Sequence, residues 1–135
     1  MMIVLDTSAC IDFLKGDQSI RDVLFRHPAI ITITAITEYE IYIGFESTKR
    51  KYAHKYTELL KNWLHFTSTM EILPLGSKEA IKAAEVYDKL ESTGKRIDDN
   101  DILIVGIMLS NGIKQIITKN VKHFNRIEEI EVIKY

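Results

Sequence analysis

Short apolar runs and longer amphipathic stretches alternate along the 135 residues. Ile3-Val4-Leu5 is an apolar run closed by Asp6-Thr7-Ser8, which predicts a strand followed by a helix cap. Ala9 to Lys15 reads as a short helix stopped by Gly16. Asp17 caps a second helix that runs to His27, before Pro28. Ala29 to Ile33 is β-branched and apolar, a second strand. From Thr34 to about Ser47, Ile36, Tyr39 and Ile43 recur at i, i+3 and i+7, which predicts a helix burying that line. Lys49 to about Thr67 predicts a longer helix with Tyr52, Tyr56, Leu59, Leu60 and Trp63 on its apolar side. Ile72 to Leu75 is a third strand. Ser77 caps a helix through Ile81, Ala84, Tyr87 and Leu90 that ends at Gly94. Asp98 or Asp99 caps the next helix, which reaches Asn111 and stops at Gly112. Gln115 to Thr118 is a fourth strand and Glu131 to Lys134 a fifth.

Two helices in most strand-to-strand crossovers imply an α/β fold, with a mostly parallel sheet of four to five strands covered on both faces. The length suits one domain spanning residues 1–135. A composition of 46% hydrophobic and 27% charged residues excludes long disorder. The single cysteine, Cys10, excludes an internal disulfide framework and a thiolate metal cluster, and is expected as a small buried residue. No apolar run approaches the ~20 residues of a membrane span, and the MMIVLDTSA start lacks a signal-peptide pattern, so the cytoplasm is the expected compartment. Nineteen acids against eighteen bases give a formal charge of −1, which argues against a uniformly polyanion-binding surface but leaves a local patch open.

In parallel sheets, ligands bind beyond the carboxyl ends of the strands, and that is where the acids gather. Asp6-Thr7-Ser8 follow the first strand. Glu38 and Glu40 lie in the helix after the second. Asp98, Asp99 and Asp101 precede the fourth strand, and Thr118-Lys119-Asn120 follow it. Converging carboxylates repel unless a cation neutralises them, and hard oxygen ligands suit Mg²⁺ or Mn²⁺. No His or Cys cluster has the spacing of a zinc site. Each acid also has a plainer reading. Asp6 can simply cap a helix. Asp98 and Asp99 fit best as first-turn acids complementing a helix dipole. Glu38 fits a solvated charge, whereas Glu40 is followed four residues on by Gly44, which would bare the helix beside it. Asp101 opens the apolar run Ile102-Leu103-Ile104-Val105 and so lies beside a buried face.

These residues resemble the PIN-domain nucleases, and within them the VapC-type toxins of prokaryotic toxin–antitoxin pairs, over essentially the whole chain. The resemblance rests on Leu5-Asp6-Thr7-Ser8, then Ile11-Asp12-Phe13-Leu14 and Gly16-Asp17. It continues with Thr37, Glu40 and Gly44; with Gly94, Ile97, Asp101 and Gly106; and with Thr118, Asn120, His123 and Phe124. One position departs from the pattern: His123 stands where the fourth motif often has Asp.

The resemblance implies a three-layer α/β/α sandwich and an Mg²⁺- or Mn²⁺-dependent endoribonuclease leaving 3′-hydroxyl and 5′-phosphate ends. It implies that Asp6, Glu40 and Asp101 hold the metal, with Thr7, Ser8, Thr118 and Asn120 orienting them. Asp99 would compensate for the missing carboxylate at His123. Lys49, Lys51 and Lys55, with Lys61, Lys95, Arg96, Lys119 and Lys122, form a candidate track for RNA phosphates, the plainer reading being a solvated helix face. A homodimer through Tyr42, Phe45, Tyr52 and Tyr56 and a cognate antitoxin complete the expected partners, with no membrane. A phosphotransfer receiver is disfavoured because Pro74-Leu75-Gly76-Ser77 offers no acceptor Asp. A haloacid-dehalogenase-like phosphatase is disfavoured because Ser8 stands where its second Asp belongs. A non-catalytic RNA- or protein-binding module on the same fold, and a housekeeping nuclease without an antitoxin, stay open.

Overall fold

The computed structural model covers residues 1–135. In chain order the elements are β1 (Met2–Leu5), α1 (Thr7–Leu14), α2 (Gln18–Arg26), β2 (Ile30–Thr34), α3 (Ala35–Lys51) and α4 (Ala53–Thr67). β3 (Glu71–Leu73), α5 (Ser77–Ser92), α6 (Asp99–Ser110), β4 (Gln115–Ile117), α7 (Val121–Phe124) and β5 (Glu131–Ile133) follow. The five strands form one sheet in the order β3-β2-β1-β4-β5, and every pairing is parallel.

β1 is the central strand, and its side chains divide between the two faces with the period of two that a pleated strand imposes. Ile3 and Leu5 pack with Ile33, Ile117, Ile41, Phe45 and Trp63 under α1–α4, whereas Val4 packs with Ile116, Ile104, Val105 and Met108 under α5 and α6. All three β1 residues are fully buried. Each such side chain contributes about 1.5–3 kcal/mol relative to exposure, which explains why a continuous apolar run rather than an alternating one occupies this position. The chain winds outward from β1 through β2 to β3 and then returns to the other side of β1 for β4 and β5. The strand order therefore reverses between β1 and β4, where an open parallel sheet leaves a crevice.

The helices differ from the predicted pattern in where they turn their faces. α3 continues to Lys51 and breaks at Tyr52, so Lys49, Arg50 and Lys51 close α3 rather than open α4. It buries Ile36, Thr37, Ile41 and Phe45, while Tyr39 and Ile43 of the expected line are exposed. Apolar residues surround this helix, and Phe45 and Trp63, in edge contact at 6.4 Å, select the inward face. On α4, Trp63 is in the core, but Tyr52 and Leu59 are exposed. Phe45, expected on a dimer patch, is core. On α5 the buried residues are Ala83, Val86 and Leu90, not Ile81, Ala84 and Tyr87. Its N-cap is Gly76, with Ser77 the first helical residue. The turn of α7, absent from the predicted pattern, seats Phe124 in the core.

A close helix contact fixes the α5 face. An ideal Cβ on Gly106 of α6 would lie 2.6 Å from Ala83 Cβ and 2.8 Å from its Cα. A Cβ on Gly44, by contrast, would meet nothing within 4 Å, so no packing within the chain requires that glycine. Gly106→Ala should lower the midpoint of thermal or urea unfolding by the equivalent of about 1–3 kcal/mol of overpacking, less a helix-propensity gain of about 1 kcal/mol. Gly44→Ala should raise it by up to about 1 kcal/mol. Equal shifts in the two variants would refute this reading of the α5–α6 contact.

Candidate active site

Asp6 occupies the crevice between the carboxyl ends of β1 and β4. It is the N-cap of α1, and its side chain is 4% exposed. Three protein donors hold the carboxylate. The Ala9 N–H and the Ser8 hydroxyl donate to Oδ1 at 3.0 and 2.7 Å, and the Thr118 hydroxyl donates to Oδ2 at 2.5 Å. The two hydroxyls are themselves held from the β4 side, since Lys119 N–H donates to Ser8 Oγ and Asn120 N–H to Thr118 Oγ1. The loop after β4 is thus laced to the acid after β1 through two hydroxyl relays.

Glu40 lies on the second turn of α3. The Thr7 hydroxyl donates to its Oε1 at 2.6 Å and sits 3.2 Å from Thr37 Oγ1. Thr34, fully buried at the end of β2, caps α3 by accepting from the Thr37 N–H. Consecutive residues of the first motif therefore orient two different acids: Thr7 holds Glu40, and Ser8 holds Asp6. Asp101 lies in the first turn of α6, half-buried. Asn120 Nδ2 and His123 Nδ1 approach its Oδ2 at 3.1 and 2.8 Å. With Nδ1 protonated, both groups donate to that oxygen.

Burial raises Asp6 above the ordinary carboxylate range; its hydrogen bonds from Thr118, Ala9 and Ser8 oppose this, and the nearby Asp101 adds to it. Burial also raises Asp101, opposed by His123 and reinforced by Asp98 and Glu40. The acids thus sense one another electrically, yet no lysine or arginine forms an ion pair with Asp6, Glu40 or Asp101. Such an all-oxygen, mutually repelling donor set, with neutral hydroxyls and amides around it, fits a hard divalent cation. Only Asp98, Asp101 and His123 bring ligand atoms within 4.8 Å of one another. Asp6 and Glu40 are not part of that close group, whose third member contributes a ring nitrogen.

Of the residues expected here, Asp6, Thr7, Ser8, Glu40, Asp101, Thr118, Asn120 and His123 belong to this connected set. Asp99 does not: it is exposed, and the neighbouring Asp98 is the acid beside Asp101 and His123. The helix-dipole reading favoured for both acids assigned no such position to Asp98. Thr37 enters through its contact with Thr7. Lys119 borders the set through Ser8, whereas Lys49 and Lys55 sit over the rings of Tyr56 and Tyr52, at 5.2 and 5.0 Å, and Lys51 is exposed. A groove of about 380 Å³ lies elsewhere, lined by α5 and the segment from Arg126 to Glu129, and contains none of these acids.

The chain is similar to known proteins over its whole length. Ribonuclease VapC1 of Rickettsia felis is 28% identical over 133 residues, covering 98% of this chain and 96% of the relative. The structure of VapBC2 from Rickettsia felis, bound to a DNA fragment from its promoter, superposes with a TM-score of 0.84. The identity is 24%, over 100% of this chain and 99% of that one. VapBC-5 of Mycobacterium tuberculosis, a member of the VapBC family of toxin–antitoxin systems, gives a TM-score of 0.72 at 22% identity, over 99% and 98% of the two chains. The profile of the PIN domain family matches residues 3–130. With the five-stranded parallel sheet and its acidic crevice, that match establishes that the chain belongs to the PIN domain family.

Proposed function

We propose that the chain is an endoribonuclease of the toxin–antitoxin type, which hydrolyses RNA phosphodiester bonds with Mg²⁺ or Mn²⁺ held by Asp6, Glu40 and Asp101. The observation that carries this reading is Asp6, a buried carboxylate with three protein donors and no cationic partner, beside two further acids contributed by α3 and α6. The relatives named as ribonucleases and the toxin–antitoxin assemblies of the same fold support it. When bound, the cation would polarise the phosphate and lower the pKa of a water. The chain's own residues orient and shield. Thr7 turns Glu40, Ser8 and Thr118 turn Asp6, and Asn120 and His123 hold one oxygen of Asp101 and leave the other without a side-chain donor.

On this reading the partners are RNA, a cognate antitoxin and a second copy of the chain, in the cytoplasm. The dimer surface would use the exposed Tyr39 and Ile43 of α3 with Leu59 and Leu64 of α4 and Tyr52 between the helices, rather than the buried Phe45. No helix is long and apolar enough to cross a membrane. Lys51 lies eleven residues beyond Glu40 on the same helix, about 16 Å along its axis, a distance that RNA outside the cleaved nucleotides would span. Lys49 and Lys55 flank it as further phosphate contacts.

Asp6→Asn should cut metal-dependent RNA cleavage by more than ~100-fold, the equivalent of several kcal/mol of lost cation chemistry. Cleavage at the wild-type rate by a clean preparation would sink the assignment. The same variant reports on stability. Asp6 is raised in the folded chain, so its contribution is fully present below the unfolded pKa and is lost as pH rises through the folded pKa. Without metal, the melting temperature of Asp6→Asn minus that of wild type should therefore widen from pH 4 towards pH 7; a gap that narrows refutes the sign. Adding Mg²⁺ at about ten times its Kd should stabilise wild type by about 1.4 kcal/mol and leave Asp6→Asn unmoved. Charge reversal at Lys51 and Lys55 should weaken RNA binding and flatten its salt dependence, and unchanged binding would return both residues to a solvated face.

A further inference from the structure

We propose that Asp12 and Tyr135 form a clamp that aims the Lys119 ammonium at an RNA backbone phosphate beside the scissile bond. The proposal rests on the endoribonuclease reading above and assigns a role to the Ile11-Asp12-Phe13-Leu14 segment, which that reading leaves unused. Lys119 directly follows Thr118, and its N–H donates to Ser8 Oγ at 3.1 Å, while Ser8 donates to Asp6. Its main chain is therefore one hydroxyl away from the buried acid. Its side chain is fixed independently. Lys119 Nζ lies 2.8 Å from Asp12 Oδ2, and the Tyr135 hydroxyl donates to the same oxygen at 2.7 Å. The ammonium also lies 5.9 Å from the centre of the Tyr135 ring.

The pair is asymmetric. The Asp12 side chain is 16% exposed and that of Lys119 is 60% exposed. The carboxylate is thus used inward, and the ammonium, which has three N–H donors, presents the remainder to solvent. An ion pair with so exposed a cation adds little to fold stability. What the contacts fix is direction. A free lysine loses many rotamers on meeting a phosphate, and here that loss is taken on folding, before RNA arrives. A cation beside the crevice offsets the negative charge that Asp98 and the other acids retain when one divalent cation is bound. Tyr135 and Asp12 are positioning residues in this scheme, and Lys119 makes the contact.

The test is the binding of a short fluorescein-labelled single-stranded RNA to the full chain carrying Asp6→Asn, followed by anisotropy across a salt series with Mg²⁺ present. Lys119→Met should weaken binding and reduce the slope of log K against log salt by about 0.7, one phosphate contact on a single strand. Lys119→Arg should restore the slope. Asp12→Asn separates aiming from bare charge. Removing an anion near RNA should tighten binding if only charge counts, whereas loss of the clamp should weaken it about threefold with the slope retained. Tyr135→Phe, which changes no charge, should weaken binding in the same direction and carries the test if Asp12→Asn fails to fold. An unchanged slope in Lys119→Met, or binding in Asp12→Asn or Tyr135→Phe as tight as in the parent, overturns the clamp. Wild-type cleavage by Asp6→Asn overturns the nuclease reading instead, and is seen in a different assay.

Discussion

Asp6 is where two requirements on this chain meet. Its carboxylate caps α1 and so helps start the first crossover, and it is withdrawn from water between the ends of β1 and β4. A carboxylate this buried is unfavourable unless it is hydrogen-bonded and neutralised. Donors from Ser8, Ala9 and Thr118 meet the first need, and no side chain of the protein meets the second. The structure around it follows from that imbalance. The hydroxyls that hold Asp6 are themselves held by the backbone of the loop after β4, so the topological reversal of the sheet is stitched at the same point where negative charge accumulates.

That stitching explains why a near-neutral chain can carry a polar charge distribution. If a cation neutralises Asp6, Glu40 and Asp101, sixteen of the nineteen acids are left against eighteen bases. The surface outside the crevice then carries a slight positive excess. Several of those bases are not free, however. Lys89 pairs with Glu128 and Glu129, Lys82 with Glu85, and Arg96 with Glu91. Lys119 is paired as well, with Asp12, and is the one base whose main chain reaches the acidic set, through the Ser8 hydroxyl.

The strand and helix order was legible because each strand is a short apolar run bounded by caps and glycines. The positive φ of Gly16 and Gly112 bears out the stops placed there. The acids at the ends of β1, β2 and before β4 were legible because a parallel sheet directs them to one edge. Helix faces were not. α3 has apolar residues on all sides, so spacing alone could not separate Ile36-Ile41-Phe45 from Ile36-Tyr39-Ile43. On α5 the decision lies on another helix: Gly106 admits Ala83 and turns Ile81 and Tyr87 outward. Asp98 against Asp99 depends on one residue of helix phase, which composition does not set. Asp12 and Tyr135 are 123 positions apart and meet only because β5 returns beside β4.

His123 shows how a departure from a family motif can be absorbed. An aspartate there would face Asp101 and add a fourth anion to a crevice whose acids already raise one another. An imidazole instead lies 2.8 Å from Asp101 Oδ2 and lowers its proton affinity, while Asn120 donates to the same oxygen. The position thus changes from a further ligand to a group that orients an existing one. Charge balance changes with it. An aspartate at this position would bring a negative charge that the imidazole does not.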